Sequence, residues 1–117
     1  LIDQGKPVPL FGDGTSKRDY TFYSDIVDGI ISSLYLDCDF EIINLGNSNP
    51  IELRQLITIL ESSLNKKAKI KRMDFQPGDV NLTYADISKA GRLLGYNPNF
   101  SIEKGIDIFT KWFKQRM

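Results

Sequence analysis

The 117-residue chain contains no histidine and one cysteine, and its 15 basic residues are balanced by 15 acidic residues. The absence of histidine excludes a Ser-His-Asp triad or a Cys-His pair, and it removes a common zinc ligand. A single cysteine excludes an internal disulfide. Zero net charge removes bulk electrostatic attraction to nucleic acid or to an anionic membrane. The usual catalytic side chains are therefore missing, and we predict no metal site.

Long apolar runs are also absent, and the longest fall far short of the roughly 18 residues that span a membrane. No signal-peptide pattern opens the chain, so we expect a cytoplasmic location and no membrane partner. The apolar content of 41% suffices for one core, so we expect a single domain over residues 1–117. Because residues 1–5 resemble the end of a helix, we expect this domain to be part of a longer chain.

Short strand patterns alternate with helical patterns, which predicts an α/β class, or an α+β-like small lobe, with about four helices. Strands are predicted over residues 7–11, 18–22, 40–45 and 69–75. Helices are predicted to begin at Ser24, Asn49, Asp86 and Ser101, and Gly95 is predicted to end the third. The segment Asn49-Pro50-Ile51-Glu52 is the clearest start, since it combines an N-cap residue, a proline and a capping glutamate.

Apolar residues at helical spacing predict which helix faces enter the core. They are Ile26, Val27, Ile30, Ile31 and Leu34 in the first helix, and Ile102, Ile106, Phe109 and Phe113 in the last.

The segment Gly12-Asp13-Gly14-Thr15-Ser16-Lys17 has part of the pattern of a phosphate-binding loop. A dinucleotide fingerprint needs a third glycine and a helix directly after it. Here lysine occupies the third position and a strand is predicted next. We therefore interpret the segment as a hairpin turn.

Two side chains are candidate ligands for a nucleotide. The planar guanidinium of Arg18 can pair with two phosphate oxygens at once, and Asp19 could hold it in place. The alternative is an ordinary surface Arg–Asp arrangement. In the turn Gln76-Pro77-Gly78-Asp79, the Asp79 carboxylate could accept hydrogen bonds from ribose hydroxyls, although Pro-Gly-Asp is also a common turn sequence.

The basic segment, residues 66–72, contains five cations. Such a segment can bind nucleic acid, but no aromatic residue lies between the cations to stack on bases. Lysines on an exposed edge strand also discourage aggregation. We therefore interpret this segment as a solvated loop and edge strand, and we expect no nucleic-acid partner.

Taken in order, the motifs resemble the C-terminal part of the NAD-dependent epimerase/dehydratase family, the extended short-chain dehydrogenase/reductases that act on nucleotide sugars. The likeness covers nearly the whole chain and is closest to UDP-glucuronate and UDP-glucose 4-epimerases. The motifs are Gly12-Asp13-Gly14, Arg18-Asp19-Tyr20-Thr21-Phe22, Asp25-Ile26-Val27, Asn44-Leu45-Gly46, Gln76-Pro77-Gly78-Asp79-Val80, Tyr84-Ala85-Asp86-Ile87-Ser88-Lys89-Ala90 and Leu94-Gly95-Tyr96.

The resemblance implies that NAD is bound by an N-terminal Rossmann domain, whose Tyr-x-x-x-Lys pair supports hydride transfer. None of the five tyrosines in this chain has a lysine four residues later. The resemblance thus implies a substrate-binding lobe for a UDP-sugar, with no catalytic and no cofactor-binding residue of its own. The partners it implies are the Rossmann domain and, for the full-length enzyme, a second copy in a homodimer. On this basis we expect the 117-residue chain alone to be inactive.

The resemblance also implies six substrate-binding residues, which are Pro9, Phe11, Arg18, Asn49, Gln76 and Asp79. Arg18 matches the arginine that grips the diphosphate, and Asp79 matches a carboxylate near the ribose. Asn49 matches a polar residue near the nucleotide, and residues 9 and 11 match the strand that lines the base. Many members have a second phosphate-binding arginine where Gln76 stands, so diphosphate binding is expected to depend more on Arg18.

Two alternatives stay open at this point. The first is the corresponding lobe of a nucleotide-sugar 4,6-dehydratase or decarboxylase, because the residues that discriminate these reactions belong to the N-terminal half. The second is a stand-alone binding or interaction domain, which the lack of catalytic side chains would fit.

Overall fold

The computed structural model describes residues 1–117 as four helices and four short strands. The strands are β1 (Pro7–Phe11), β2 (Lys17–Arg18), β3 (Ile51–Glu52) and β4 (Lys69–Met73). The helices are α1 (Tyr23–Ser33), α2 (Leu53–Leu64), α3 (Ser88–Leu94) and α4 (Ile102–Arg116). The predicted mixed class with about four helices is confirmed.

The strands form two separate two-stranded sheets. β1 is parallel to β4, with Phe11 opposite Met73, and the α2 crossover makes that arrangement possible. β2 is antiparallel to β3, with Arg18 opposite Ile51. β1 has a neighbour on one side only, as expected for a strand whose two prolines cannot donate to a ladder.

The turn after β1 is not a hairpin, so that prediction was wrong. It connects strands of different sheets, because β1 pairs with β4 and β2 pairs with β3. Gly12 and Gly14 have φ values of 79° and 83°, in the left-handed region that glycine tolerates. These two residues redirect the chain from one sheet to the other.

The strand predicted over residues 40–45 is absent. Phe40 is 80% exposed, and neither of the two sheets includes residues 40–45. An extended apolar segment becomes a strand only when a neighbouring strand accepts its backbone hydrogen bonds. This chain provides no such neighbour for residues 40–45.

Two of the predicted helix starts were wrong. Ser24 lies inside α1, which begins after Phe22 without a side-chain cap, and the Ser24 Oγ is buried without a hydrogen-bond partner. Asn49 does not cap α2, because residues 51–52 pair with β2 and the helix begins only at Leu53. Tertiary pairing thus overrides a strong local capping pattern.

The last two helices agree better with the local signals. The Ser101 Oγ accepts a hydrogen bond from the Lys104 backbone N–H at 3.2 Å, so the predicted cap of α4 is confirmed. α3 begins two residues later than predicted, and the Asp86 carboxylate accepts a hydrogen bond from the Ser88 N–H there. Gly95 ends α3 with a φ of 64°, as predicted.

The chain does not close a core around all its apolar residues. α2 packs against α4, where Ser63 and Thr110 share a hydrogen bond of 2.5 Å, and α1 packs against α3. Only 12 of 117 residues are buried. The radius of gyration is 16.8 Å, whereas a compact domain of about 100 residues has a radius near 13 Å.

Part of the predicted core therefore lies on the surface. On α1 and its C-cap residue, the exposed fractions of Val27, Ile30, Ile31 and Leu34 lie between 44% and 77%. On α4, Phe109 is also exposed. We call the α1 residues the α1 apolar face. No helix in the structure combines the length and the apolar character needed to cross a membrane.

Candidate functional site

A polar cleft of about 310 Å³ opens beside β2, and two predicted ligand positions are near it. Hydrogen bonds bring residues 81–83 alongside β2: the Lys17 N–H donates to the Asn81 carbonyl at 2.8 Å, and the Thr83 N–H donates to the Lys17 carbonyl at 3.2 Å. The cleft is lined by Arg18, Asp19, Thr21, Leu45, Gly46, Thr83, Tyr84 and Ala85. We call it the Arg18 cleft.

Arg18 forms an ion pair with Asp79, which lies in the predicted turn. Its Nη2 donates to the Asp79 Oδ1, and its Nη1 donates to the Lys17 carbonyl at 2.8 Å. The side chains of Arg18 and Asp79 are 30% and 41% exposed, so solvent reaches both. The turn itself is formed as predicted, with the Asp79 N–H donating to the Gln76 carbonyl at 3.1 Å and Gly78 at a φ of 81°.

Arg18 donates to Lys17 and Asp79 and not to Asp19, so the prediction that Asp19 holds the guanidinium was wrong. The Asp19 carboxylate instead accepts four backbone N–H bonds. Its Oδ2 accepts from Asn47, Ser48 and Ala85 at 3.2, 3.0 and 3.1 Å, and its Oδ1 accepts from Asn49 at 3.3 Å. These bonds join two segments that are distant in sequence.

Sequence reasoning missed this role of Asp19, because its partners are 28 to 66 residues away. One local signal was present. Gly46-Asn47-Ser48-Asn49 is a run of small polar residues after an apolar stretch, which favours a turn whose backbone N–H groups need acceptors. A carboxylate that satisfies them can come from any part of the chain, so the pairing is not readable from that run alone.

Of the six predicted ligands, only Arg18 lines the Arg18 cleft, and Asp79 reaches it through the ion pair. Asn49 is tied to Asp19 through its backbone N–H only. Pro9 and Phe11 lie on β1, and Gln76 follows Phe75, whose ring covers the backbone of Gly12. Because β1 and β4 are parallel, the chain leaves both strands at the same edge of their sheet. That edge places the 12–16 turn beside the segment that leads to Gln76.

The glycine-rich turn does not have the geometry of a dinucleotide-binding loop. The Asp13 Oδ1 accepts from the Thr15 hydroxyl at 2.6 Å and from the Thr15 N–H at 3.0 Å. The Thr15 hydroxyl, followed by the Thr15 N–H, lowers the pKa of the Asp13 carboxyl. The turn then enters β2 instead of a helix. The first N–H groups of α2, those of Leu53 and Arg54, donate to the Ser16 and Gly14 carbonyls of the turn, both at 3.0 Å, so these donors are already used within the chain.

A larger apolar cavity of about 420 Å³ lies between α2, α4 and the residues before α1. Phe22 and Phe100 stack in its wall with ring centroids 4.5 Å apart. No charged side chain and none of the six predicted ligands line it. Of these two cavities, only the Arg18 cleft has a cationic side chain in its lining.

The family model described as GDP-mannose 4,6 dehydratase matches residues 1–109. The chain belongs to the NAD-dependent epimerase/dehydratase family. This family assignment confirms the predicted resemblance to extended short-chain dehydrogenase/reductases.

Curated members of the epimerase/dehydratase family match almost the whole chain. An uncharacterized protein of Methanocaldococcus jannaschii is 49% identical over 93% of this chain and 33% of its own length. A UDP-glucuronate 4-epimerase of Thermodesulfobacterium geofontis is 46% identical over 99% of this chain and 36% of its own length. The chain thus spans about a third of the length of the curated relatives it matches.

A solved structure of the epimerase/dehydratase family agrees in fold. The UDP-glucuronic acid 4-epimerase of Bacillus cereus, in complex with UDP-glucuronic acid and NAD, superposes with a TM-score of 0.90. It is 34% identical, and the match covers all of this chain and 39% of that one. The relative from Thermodesulfobacterium geofontis and the solved structure from Bacillus cereus carry epimerase names, which does not favour the dehydratase alternative, although the family model is named after a dehydratase.

Proposed function

We propose that this chain is the substrate-binding lobe of an NAD-dependent UDP-sugar 4-epimerase, and that it holds the nucleotide diphosphate. In this proposal, an N-terminal Rossmann domain of the same enzyme binds NAD and carries out the hydride transfer. The full-length enzyme is then a homodimer in the cytoplasm, and residues 1–117 form its C-terminal nucleotide-sugar-binding domain. The chemistry of the Arg18 cleft supports this proposal most directly.

Arg18 supplies the positive charge that a diphosphate requires. Its side chain is 30% exposed, and a charge-assisted hydrogen bond is stronger at a partly buried position than in bulk water. Asp79 engages Nη2 and leaves part of the planar donor fork accessible. A diphosphate binds the free donors, or it displaces the Asp79 carboxylate from Nη2.

The ion pair with Arg18 supports a role for Asp79 next to the proposed phosphate position. A ribose attached to a diphosphate on Arg18 brings its hydroxyl groups near this carboxylate, which accepts hydrogen bonds. We assign the base to the edge where Pro9, Phe11 and Gln76 lie, and Asn49 to the loop beside Asp19. This order follows the predicted roles, with Arg18 as the main anchor.

Calorimetric titration of the full-length enzyme with UDP tests the proposal. Arg18→Ala should raise the UDP Kd at least about tenfold, because a bond between charged groups is lost. Arg116→Ala makes the same charge change at the end of α4, outside the Arg18 cleft, and should leave the Kd unchanged. Equal Kd values for the Arg18→Ala variant and the wild type would remove Arg18 from the site.

Single-stranded RNA is the comparison ligand for the stand-alone alternative. Two of the five cations in the basic segment are already paired, Lys66 with Asp3 and Lys67 with Glu61. We therefore expect weak RNA binding. RNA binding with a steep salt dependence, together with no response to UDP, would instead identify a stand-alone nucleic-acid-binding domain.

A further inference from the structure

We propose that Asp19 is a positioning residue of the Arg18 cleft: its carboxylate holds the two walls of the cleft together and thereby sets the affinity of Arg18 for a diphosphate. This inference rests on the proposed function, because it concerns the same cleft. Asp19 acts through the backbone of the walls.

The carboxylate connects one wall to the other. The first wall is the loop that contains Asn47, Ser48 and Asn49, and the second wall contains Ala85. Oδ2 accepts N–H bonds from both walls, at 3.0 and 3.2 Å from the first and at 3.1 Å from the second. Both oxygens of an ionised carboxylate accept hydrogen bonds, and each can accept more than one. A neutral amide has only one accepting oxygen, because its other terminal atom is a donor nitrogen.

Gly46 shows how closely the walls approach each other. A Cβ atom added there would lie 2.6 Å from the Ala85 Cβ and 2.7 Å from the Asp19 Oδ2. The Tyr96 hydroxyl also donates to the Gly46 carbonyl at 2.7 Å and holds this wall from the buried side. The first wall is therefore fixed between Tyr96 and Asp19, with no room for a larger residue.

Asp19 is directly attached to Arg18 in the chain, and the two side chains bind different parts of the structure. Arg18 pairs with Asp79 in the turn, whereas Asp19 binds the cleft walls. The backbone between them is thus anchored at both residues. Without the hydrogen bonds of the Asp19 carboxylate, the walls and the Arg18 backbone would move independently. A ligand would then have to order them on binding, and this loss of conformational entropy would weaken its affinity.

Asp25 provides a matched control for a test of this role. Its buried carboxylate accepts backbone N–H bonds from Asn99 at 3.0 Å and Phe100 at 3.1 Å, and it does not line the Arg18 cleft. Asp19→Asn and Asp25→Asn make the same isosteric change, since each places an NH₂ group against backbone donors. Both variants should be less stable than the wild type.

The two variants should differ in UDP binding when the folded protein is titrated. We expect Asp19→Asn to raise the UDP Kd about tenfold, and Asp25→Asn to leave it within about twofold of the wild-type value. Amide hydrogen exchange read by NMR should speed up at Asn47 and Ala85 in the Asp19 variant only. Gly46→Ala is the second variant if Asp19→Asn does not fold, because its Cβ pushes the walls apart without a change of charge.

The outcomes separate this inference from the proposed function. No UDP binding by the wild-type full-length enzyme would overturn the proposed function, and the positioning role with it. Tight UDP binding by the wild type and equally by folded Asp19→Asn, or by folded Gly46→Ala, would overturn the positioning role alone. An equal loss of UDP affinity in Asp25→Asn would show a general effect of stability and would also overturn it.

Discussion

Arg18 and Asp79 form an ion pair although 61 positions separate them in the sequence. Resemblance to the family suggested each residue as a ligand of a different part of the nucleotide, and the structure brings them into direct contact. The Asp79 carboxylate thus occupies one donor nitrogen of the guanidinium that is proposed to bind the diphosphate. This relationship can be tested from the Asp79 side.

We predict that Asp79→Asn strengthens pyrophosphate binding, because Arg18 loses a competing negative charge. UDP should gain less than pyrophosphate, since the variant also loses a carboxylate acceptor for the ribose. Calorimetric titration with both ligands measures the ratio of their affinities. Asp74→Asn makes the same charge change on the segment before the turn and is the control; an equal ratio in the two variants would contradict the prediction.

A second prediction concerns Tyr96, whose buried hydroxyl donates to the Gly46 carbonyl. Tyr96→Phe leaves that carbonyl without this donor, and we expect the free energy of unfolding to fall by about 1–3 kcal/mol at neutral pH. Urea unfolding followed by circular dichroism measures this loss. An unchanged midpoint would show that the hydrogen bond contributes no net stability.

The same tyrosine predicts a dependence on alkaline pH. Burial, followed by the nearby charge of Asp25, raises the pKa of Tyr96 above its ordinary value of 10.0. A raised pKa in the folded state means that the neutral hydroxyl stabilises the fold fully below pH 10.0, and that this contribution is lost as the pH rises through the folded-state pKa. The difference in unfolding free energy between the wild type and Tyr96→Phe should therefore shrink at high pH. A constant or growing difference would contradict this assignment.

A third prediction compares two serines at helix starts. Ser101 caps α4 through its Oγ, so Ser101→Ala should cost about 1 kcal/mol. The Ser24 Oγ is buried without a partner, so Ser24→Ala should be neutral or stabilising. Thermal unfolding of both variants measures the contrast. Equal destabilisation would mean that Ser24 does cap α1 in solution.

A fourth prediction concerns the α1 apolar face. Exposed apolar side chains in a contiguous patch favour association, so the isolated chain should self-associate at high concentration. Ile30→Lys together with Leu34→Lys should reduce this association with little change in stability, because both side chains are already exposed. Sedimentation velocity and thermal unfolding measure the two effects. Leu64→Lys, at a buried position, should instead destabilise the chain, and an unfolded double variant would show that the α1 apolar face is part of the core.

Local signals predicted the parts of the fold that depend on neighbouring residues. The Ser101 cap, the Gly95 stop and the Gln76-Pro77-Gly78-Asp79 turn are each formed by atoms within a few residues of one another. The order of short motifs was likewise sufficient to predict the family. It also identified Arg18 and Asp79 as candidate ligands, though not as partners of each other.

Contacts between distant segments decided the rest. Residues 51–52 pair with β2, so the predicted helix does not begin at Asn49. The predicted strand over residues 40–45 is absent because no other strand pairs with it. The role of Asp19 depends on backbone N–H groups up to 66 residues away. The sequence by itself determined the family and the local helix and turn signals, and it predicted charged residues of the candidate site. Only the tertiary structure decided which of those charges face each other and which apolar faces stay exposed, because hydrogen bonding and burial depend on partners that sequence spacing does not specify.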